Sequence, residues 1–539
     1  MPPSRPRAFA KEPKSKKVKE PRLNDADDYL AAASEHEDAM GKHRGGDAAK
    51  SLRFARRALD VYSQGLAKFP QDFDLAYNKA RLQLEVATHP SFSEVLDIPI
   101  MDLLRQTLDS HQYAVGLDSE NADALFNMAQ VLTTLAENIA EDDRLDDTEA
   151  LQLLEQALDY QGRCFAIQQK GFIQSRLEFE QAMRENASTD PNSQEAGLAH
   201  QAASVPESQN EESEQWVSVV EPVTADTLLD TIIAQVSTLT TVCSIVNTTF
   251  VAPGQSQATI SLSWIESFSR KLLAGTLDTL LKENRADLKE RLSEIALARA
   301  VFTGAFLELS FRSRALDAHA YKRELDIAFS QVELDHNSDE VLIACARALI
   351  SFNACLAESD LLFVSDDTPD NPPSLRWSIL IEAQSRLTAA SKLPGVSTDN
   401  HVLATTHLLR GDVSLLLHAI SYPPRAYTQA HSTKGKLLKN AEVYYRNAGK
   451  LFGTLGPAGR EEKVVAELKG GIVKVLQQLE TASSGTSTGD GKSSIVRASP
   501  QQIQEGLGEI ARAEGEAWVK DQLDEIIDEG LVNAEIFGL

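Results

Sequence analysis

The chain has 539 residues, 42% hydrophobic and 24% charged, which is ordinary globular usage in a chain long enough to bury a large core. It carries 79 acidic against 53 basic residues, a formal net charge of −26, so its surface should repel nucleic acid and anionic membranes and attract basic partners. Four cysteines without a C-x-x-C pair predict buried thiols in a reducing, intracellular compartment. No run approaches the roughly 18 apolar residues of a membrane span, and the N-terminus lacks an apolar signal segment.

Residues 1–24 are rich in Pro and Lys and have too few apolar groups to fold, which predicts a disordered basic tail. Within it, PKSKKVK is typical of a nuclear import signal, with Lys14 upstream of a K-K-x-K core formed by Lys16, Lys17 and Lys19. We therefore expect an import receptor among the partners, and the nucleus and cytoplasm as the location. The alternative is a tail that only solubilises the protein.

Apolar residues recur at spacings of three and four from Asp27 onward, which predicts an all-α chain. Ala58, Tyr62, Gly65 and Pro70 stand at offsets of 4, 3 and 5, and PQDFDLAYNKARLQ follows as an opening helix. This small–aromatic–small–proline rhythm resembles the helical hairpin of tetratricopeptide repeat (TPR) proteins. Small residues let two helices approach closely, and proline ends the second helix.

Further partial copies of the rhythm follow along the chain. A second begins near Ser119, 49 residues after Pro70 rather than the ~34 of one repeat, so we expect an insertion at about 89–98. The segment after His336 is a third, and Ala441, Tyr445 and Ala448 repeat the first spacing. The predicted organisation starts with a basic tail (1–24), N-terminal repeats (25–184) and a disordered acidic insertion (185–221). It continues with C-terminal repeats (222–481), a Ser/Gly linker (482–498) and an acidic helical end (499–539).

The resemblance implies an α-α superhelix of TPR-like hairpins, and a non-repetitive helical bundle is the alternative. It also implies a concave groove lined by the second, fifth and ninth residues of each first helix. Such residues can anchor a bound peptide, although a solvated helix face is the plainer interpretation. These positions are Asp74, Tyr77, Arg81, Asp123, Phe126, Gln130, Glu340, Ile343 and Arg347.

The sequence shows no signature of catalysis. Phosphate-binding glycine loops, the G-x-S-x-G elbow and metal-ligand His spacings are missing, so we expect no enzyme activity, cofactor or metal. The carboxylate-binding clamp of some TPR proteins is matched only at Asn127. Acidic runs such as Glu141–Asp142–Asp143 are expected to be solvated charge.

Two functions remain open. The first is a non-catalytic adaptor that assembles a protein complex. The second is an acidic chaperone or escort that shields a basic client, such as a ribosomal protein or histone, during nuclear transit. Both expect protein partners and neither expects direct contact with nucleic acid or membrane.

Overall fold

The computed structural model describes residues 23–142, 145, 147–188, 222–251, 262–362, 373–422, 427–483 and 497–537. Within these ranges the chain is all-α, as predicted, and no strand occurs. The helices are α1 (Ala26–His43), α2 (Ala48–Lys68), α3 (Phe73–Thr88), α4 (Ile100–Leu117), α5 (Ala122–Ala140), α6 (Asp147–Ser188), α7 (Ala225–Val251), α8 (Leu262–Arg270), α9 (Asp278–Asn284), α10 (Leu292–Arg312), α11 (Ala318–Ala328), α12 (Asp339–Leu362), α13 (Pro373–Ala390), α14 (Pro394–Thr398), α15 (Asn400–Ala419), α16 (Thr428–Phe452), α17 (Arg460–Ser483), α18 (Pro500–Glu514), α19 (Glu516–Asp528) and α20 (Ala534–Phe537).

Short polar residues set where these helices begin. The Asp72 side chain accepts the backbone N–H of Leu75 at 2.9 Å, and Asn121 caps α5 in the same way through Ala124 at 3.0 Å. Each cap satisfies a backbone donor that the first turn leaves without a partner. The predicted opening helix therefore starts at Phe73. The expected insertion lies between α3 and α4, where the chain forms a 3-10 turn, Pro90–Val95.

The helices pack as successive antiparallel pairs in two layers. The first helices of the pairs contact one another, α1 with α3, α3 with α5 and α5 with α7, whereas α2 and α4 lie farther apart. The array curves, and because the first helices lie closer together than the second helices do, α1, α3, α5 and α7 form its inner layer. Helix α10 continues this inner layer between α7 and α12. The turn Pro90–Val95 also contacts the turn Gly453–Gly459, so the arc bends back until these regions meet.

The hydrophobic core is distributed along the array. One cluster joins α1 to α4, a second runs from Leu84 to Leu309, and a third from Ala300 to Ile536. The second cluster crosses the predicted acidic insertion, since α6 and α7 share it. The array is therefore continuous in packing on both sides of that position.

The ends of the predicted segments fall partly outside the described residues. The basic tail up to residue 22, with its four import-signal lysines, lies outside them, as do 189–221 of the acidic insertion and 484–496 of the linker. Residues 185–188 continue α6 by one turn. The predicted C-terminal segment contains α18 to α20, and α18 packs on α17.

The small-residue positions of the repeat rhythm are buried as predicted. Ala58 and Tyr62 are 0% and 2% exposed. A Cβ on Gly65 would lie 3.0 Å from both the Tyr29 and Leu75 side chains, so only glycine fits without displacing them. The same arrangement recurs at Ala441, Tyr445 and Ala448.

Helices α15 and α16 approach each other closely. There Gly411 faces the Tyr445 ring, and a Cβ at residue 411 would lie 2.7 Å from the ring atom Cδ1. The Tyr445 hydroxyl donates to Asp412 at 2.8 Å, which fixes the ring in place. The ring therefore cannot move aside for a larger residue.

Substitution Gly411→Ala is expected to lower the free energy of unfolding by about 1–3 kcal/mol, because the added methyl overpacks this contact. Gly435→Ala is the matched control on α16. Its Cβ would meet nothing within 4 Å, so it should raise helix stability by about 0.5–1 kcal/mol. Urea denaturation of both variants measures the difference. Equal effects of the two substitutions would refute the packing assigned to Gly411.

Two helices are longer and more apolar than the sequence analysis recognised. Ala225–Asn247 and Asp339–Glu358 have mean hydropathies of 1.5 and 1.6, enough by length and composition to cross a membrane. In the fold, 61% and 50% of these windows are buried against neighbouring helices. Core helices pass this test because they are apolar on most sides.

A polar cluster joins α17 to α15 and α16 near the end of the array. The Glu480 carboxylate lies 3.7 Å from His418 Nε2, accepts a hydrogen bond from the Tyr422 hydroxyl at 2.8 Å and pairs with Lys434 at 3.1 Å. His418, Tyr422 and Lys434 hold the pKa of Glu480 at about 2, well below its ordinary value of 4.5. The charged carboxylate is thus more stable in the folded protein than in the unfolded chain.

This contribution should be fully present above pH 4.5 and lost as the pH falls through the folded-state value toward 2. Glu480→Gln should lower the free energy of unfolding by about 1–3 kcal/mol at pH 7, because Lys434 loses its charged partner. The difference from wild type should shrink at pH 3. Denaturant midpoints at the two pH values provide the check, and a difference that stays constant would contradict the assigned pKa.

Candidate functional site

The inner face of α3, α5 and α7 is the candidate functional site. Phe73 and Ala122 are the first residues of α3 and α5, so the predicted positions are indeed the second, fifth and ninth residues of these helices. Asp74, Asp123 and Gln130 are exposed there. The register predicted from sequence is therefore confirmed, while a role in binding stays a prediction.

Tyr77 and Asn127 connect the two helices across this face. Asn127 Nδ2 donates to the Tyr77 hydroxyl at 3.2 Å, and the Tyr77 ring stacks on Phe73 with centroids 5.6 Å apart. Burial and the nearby Asp123 charge raise the pKa of Tyr77, which keeps the phenol neutral. Tyr77 and Phe126 are both half-buried against the core, so each offers a ring edge rather than a whole side chain.

Arg81 is occupied within the fold. It forms ion pairs with Glu37 of α1 and with Glu85, the latter at 3.5 Å, and Arg44 pairs with the same Glu85. Tyr62 of α2 also donates to Glu37. The sequence pattern presented Arg81 as a peptide contact, but the structure places it in a network that holds three helices together.

A pocket of about 320 Å³ opens on this face. Its described lining residues come from four helices and none of them is charged. Gln130, one of the predicted groove residues, is among them. The lining residues are Leu84, Thr88, Gln130, Thr133, Thr134, Gln161, Ala234, Ser237 and Thr238.

The pocket presents both hydrogen-bond acceptors and donors, since the Thr134 and Ser237 hydroxyls and the Gln130 amide also line it. The hydroxyls of Thr88, Thr133 and Thr238 each donate to the carbonyl four residues earlier, at 2.9, 3.0 and 2.9 Å. Their remaining lone pairs can only accept. Gln161 is 3% exposed and donates through Nε2 to Thr238 at 3.0 Å, while its Oε1 has no hydrogen-bond partner among the described residues.

A carboxylate lies one turn from the pocket. Glu137 follows Thr133 by four residues on α5, and it accepts a hydrogen bond at 3.3 Å from Thr241, which follows Ser237 by four residues on α7. Burial and the Glu141 charge raise the pKa of Glu137, although the hydrogen bond from Thr241 lowers it. Sequence analysis missed Gln161, Glu137 and the threonines, because residues from four helices meet here and no spacing within one helix shows it.

The remaining predicted groove residues belong to another part of the array. Glu340 and Arg347 are exposed on α12, whose buried face joins the C-terminal core, and Ile343 packs on that core. They line no part of the pocket described above. Asn127, the single match to a carboxylate clamp, is engaged with Tyr77.

Within the described ranges, no group of three or more His, Cys, Asp or Glu side chains could hold a metal ion. Burial raises the pKa of the buried Cys243 thiol to about 12 and of Cys164 to about 11. Such thiols stay protonated and weakly reactive. The absence of enzyme activity and cofactors stays a prediction.

No protein-family model matches the chain. The chain is 34% identical over 155 residues to "UPF0656 protein C926.02" of Schizosaccharomyces pombe, a match that covers 28% of this chain and 34% of that protein. The chain thus matches about a third of the length of this curated relative.

Among solved structures, the chain is similar to a "circular tandem repeat protein with novel repeat topology and enhanced subunit contact surfaces". The TM-score is 0.23 at 14% identity, covering 94% of this chain and 98% of the other. At that TM-score the two share no arrangement on which an argument about function can rest.

Proposed function

We propose that this protein is a non-catalytic, TPR-like scaffold that binds a partner polypeptide along the inner face of α1, α3, α5 and α7. The observation that carries the proposal is the pocket at Gln130, which the first helices α3, α5 and α7 build together with Gln161 of α6. A surface assembled from successive repeats suits an extended or helical segment, because such a segment contacts several repeats at once.

The chemistry of the face agrees with this proposal. Exposed acidic residues, Asp74 and Asp123, begin two neighbouring helices, and half-buried rings of Tyr77 and Phe126 lie one turn further on. Rigid aromatic edges next to charges are typical of protein-binding surfaces. The ion pairs of Arg81 hold the neighbouring helix α1 in place.

The double variant Asp74→Lys/Asp123→Lys should reduce partner binding at least tenfold, because it inverts the charge of the inner face. The matched control is Asp60→Lys/Asp109→Lys, which makes the same charge change at exposed positions on the second helices α2 and α4. Partners copurified from cells and identified by mass spectrometry provide the measurement. Both Asp74 and Asp123 lie in first turns, so a stability loss of about 0.3–1 kcal/mol per site is expected and is checked by thermal melting.

Equal loss of the partner in both double variants would assign binding to overall charge and would reject the inner face as the binding site. Full retention of the partner by Asp74→Lys/Asp123→Lys would reject this assignment as well.

The second candidate function is an escort for a basic client. The net charge of −26 favours it. The complex of an escort should weaken steeply between low and high ionic strength, since it depends on screened charge, whereas an adaptor complex built on apolar contacts should persist.

Nuclear import through the basic tail is part of both proposals. Replacing Lys16, Lys17 and Lys19 with Ala in a tagged protein should shift it from the nucleus to the cytoplasm, because the receptor loses its charged contacts. The Lys→Arg variant at the same positions is the control that retains charge. Nuclear accumulation of the Ala variant equal to wild type would assign import to another segment or to a partner.

A further inference from the structure

We propose that the end of α6 pairs with the same helix of a second copy of this chain, so that the protein forms an antiparallel dimer. The contact surface is an apolar stripe on α6, defined by Phe172, Ile173, Leu177, Phe179 and Met183. None of these residues lines the pocket on the inner face, so the proposal is independent of the proposed function.

The first observation is that α6 extends beyond the helices on which it packs. The segment that enters α7 contacts α6 at Gly171, where an added Cβ would lie 3.3 Å from the Val223 side chain. From there α6 continues to Ser188, about 25 Å further along its axis. Every residue from 176 to 184 is exposed, so this end of the helix is open to a second molecule.

The second observation is that the extending end is amphipathic. Ile173, Leu177, Phe179 and Met183 are 53%, 49%, 66% and 57% exposed. At about 100° per residue they share one half of the helix surface with Phe172. The polar residues of the opposite half are Gln174, Glu178 and Gln181. Single exposed apolar residues are ordinary, but a cluster on one side of a helix end is typical of an interaction surface.

The third observation is that the stripe is complementary to itself. Arg176 and Glu180 lie in its middle, two residues before and two residues after Glu178. An antiparallel pair with its twofold axis at the level of residue 178 brings Arg176 of each copy to the height of Glu180 of the other. Phe172 of one copy then lies within about 1.5 Å of the height of Met183 of the other. Opposite charges therefore meet at the centre and apolar side chains meet on either side of it.

This charge pattern favours a second copy over another occupant. A twofold pair uses the same surface twice, so the basic group of one copy and the acidic group of the other match by symmetry. Within one copy, Arg176 lies 5.7 Å from the centre of the Phe172 ring and Glu180 pairs with Arg184 at 3.7 Å. These contacts are exposed and weak, so they do not prevent pairing between copies. A contact of this length buries less than the ~1,200 Å² of a stable interface, so the dimer is reversible.

The test is sedimentation equilibrium of the full chain over the micromolar range, where wild type should pass from monomer to dimer. Arg176→Glu and Glu180→Arg should each raise the dissociation constant at least tenfold, because like charges then face each other across the axis. An equimolar mixture of the two variants should dimerise again, since one copy supplies two acidic groups and the other two basic groups. An effect confined to one helix cannot restore association on mixing.

Glu178→Arg is the matched control, because it makes the same charge change on the polar half of the same helix. It should leave the dissociation constant unchanged. Leu177→Ser/Phe179→Ser should abolish the dimer without lowering the melting temperature, because both side chains are exposed. A mixture that stays monomeric, or a Glu178→Arg variant that weakens association as much as Glu180→Arg, would overturn the antiparallel pairing.

A wild-type chain that stays monomeric overturns the dimer, and a deletion of residues 214–221 then identifies the occupant of the stripe. If the deletion produces a dimer, the apolar run Trp216–Val220 of the same chain covers the stripe. If the deleted chain also stays monomeric, the stripe belongs to a different protein.

Discussion

The structure depends on close contact between helices at positions without bulky side chains. Gly65 lies against Tyr29 and Leu75, and Gly411 lies against the ring of Tyr445. In both places an aromatic residue fills the space that the glycine leaves open. Because interiors are packed as densely as crystals, these contacts determine how far each helix stands from the next.

Polar groups inside the array are used to hold helices together. Arg81 and Glu85 of α3 join Glu37 of α1. Near the other end, Lys469 of α17 pairs with Asp412 of α15 at 3.0 Å and with Glu529 at 3.3 Å. Burial alone lowers the pKa of Lys469, but the two carboxylates outweigh it and raise the value. Removing either partner of the buried Lys469–Asp412 pair leaves a costly charge, so this pair resists substitution.

The pocket differs from these networks because none of its described lining residues is charged. Hydroxyls that bond to their own helix leave lone pairs, and the Gln161 oxygen has no described partner. Buried side-chain atoms without a described partner also occur elsewhere in the array, at Arg44 Nε and Gln384 Oε1. The same face carries the acidic residues Asp74 and Asp123 near the starts of α3 and α5.

The sequence alone determined the local structure of the array. Helical periodicity and the spacing of Ala58, Tyr62 and Gly65 each depend on residues within one or two helices, and the structure confirms them. These patterns extend over only a few helical turns, so they can be recognised in the sequence alone. They also placed Asp74, Asp123 and Gln130 at the correct helix positions.

Only the tertiary structure decided what those positions do. Arg81 has the same place in its helix as Gln130, yet it is occupied by Glu37 from α1, while Gln130 opens onto a pocket. Gln161 and Thr238 are 77 residues apart in the chain and 3.0 Å apart in space. Contacts of this kind depend on the angle and distance between helices, which core packing sets and which the spacing of residues along one helix does not contain.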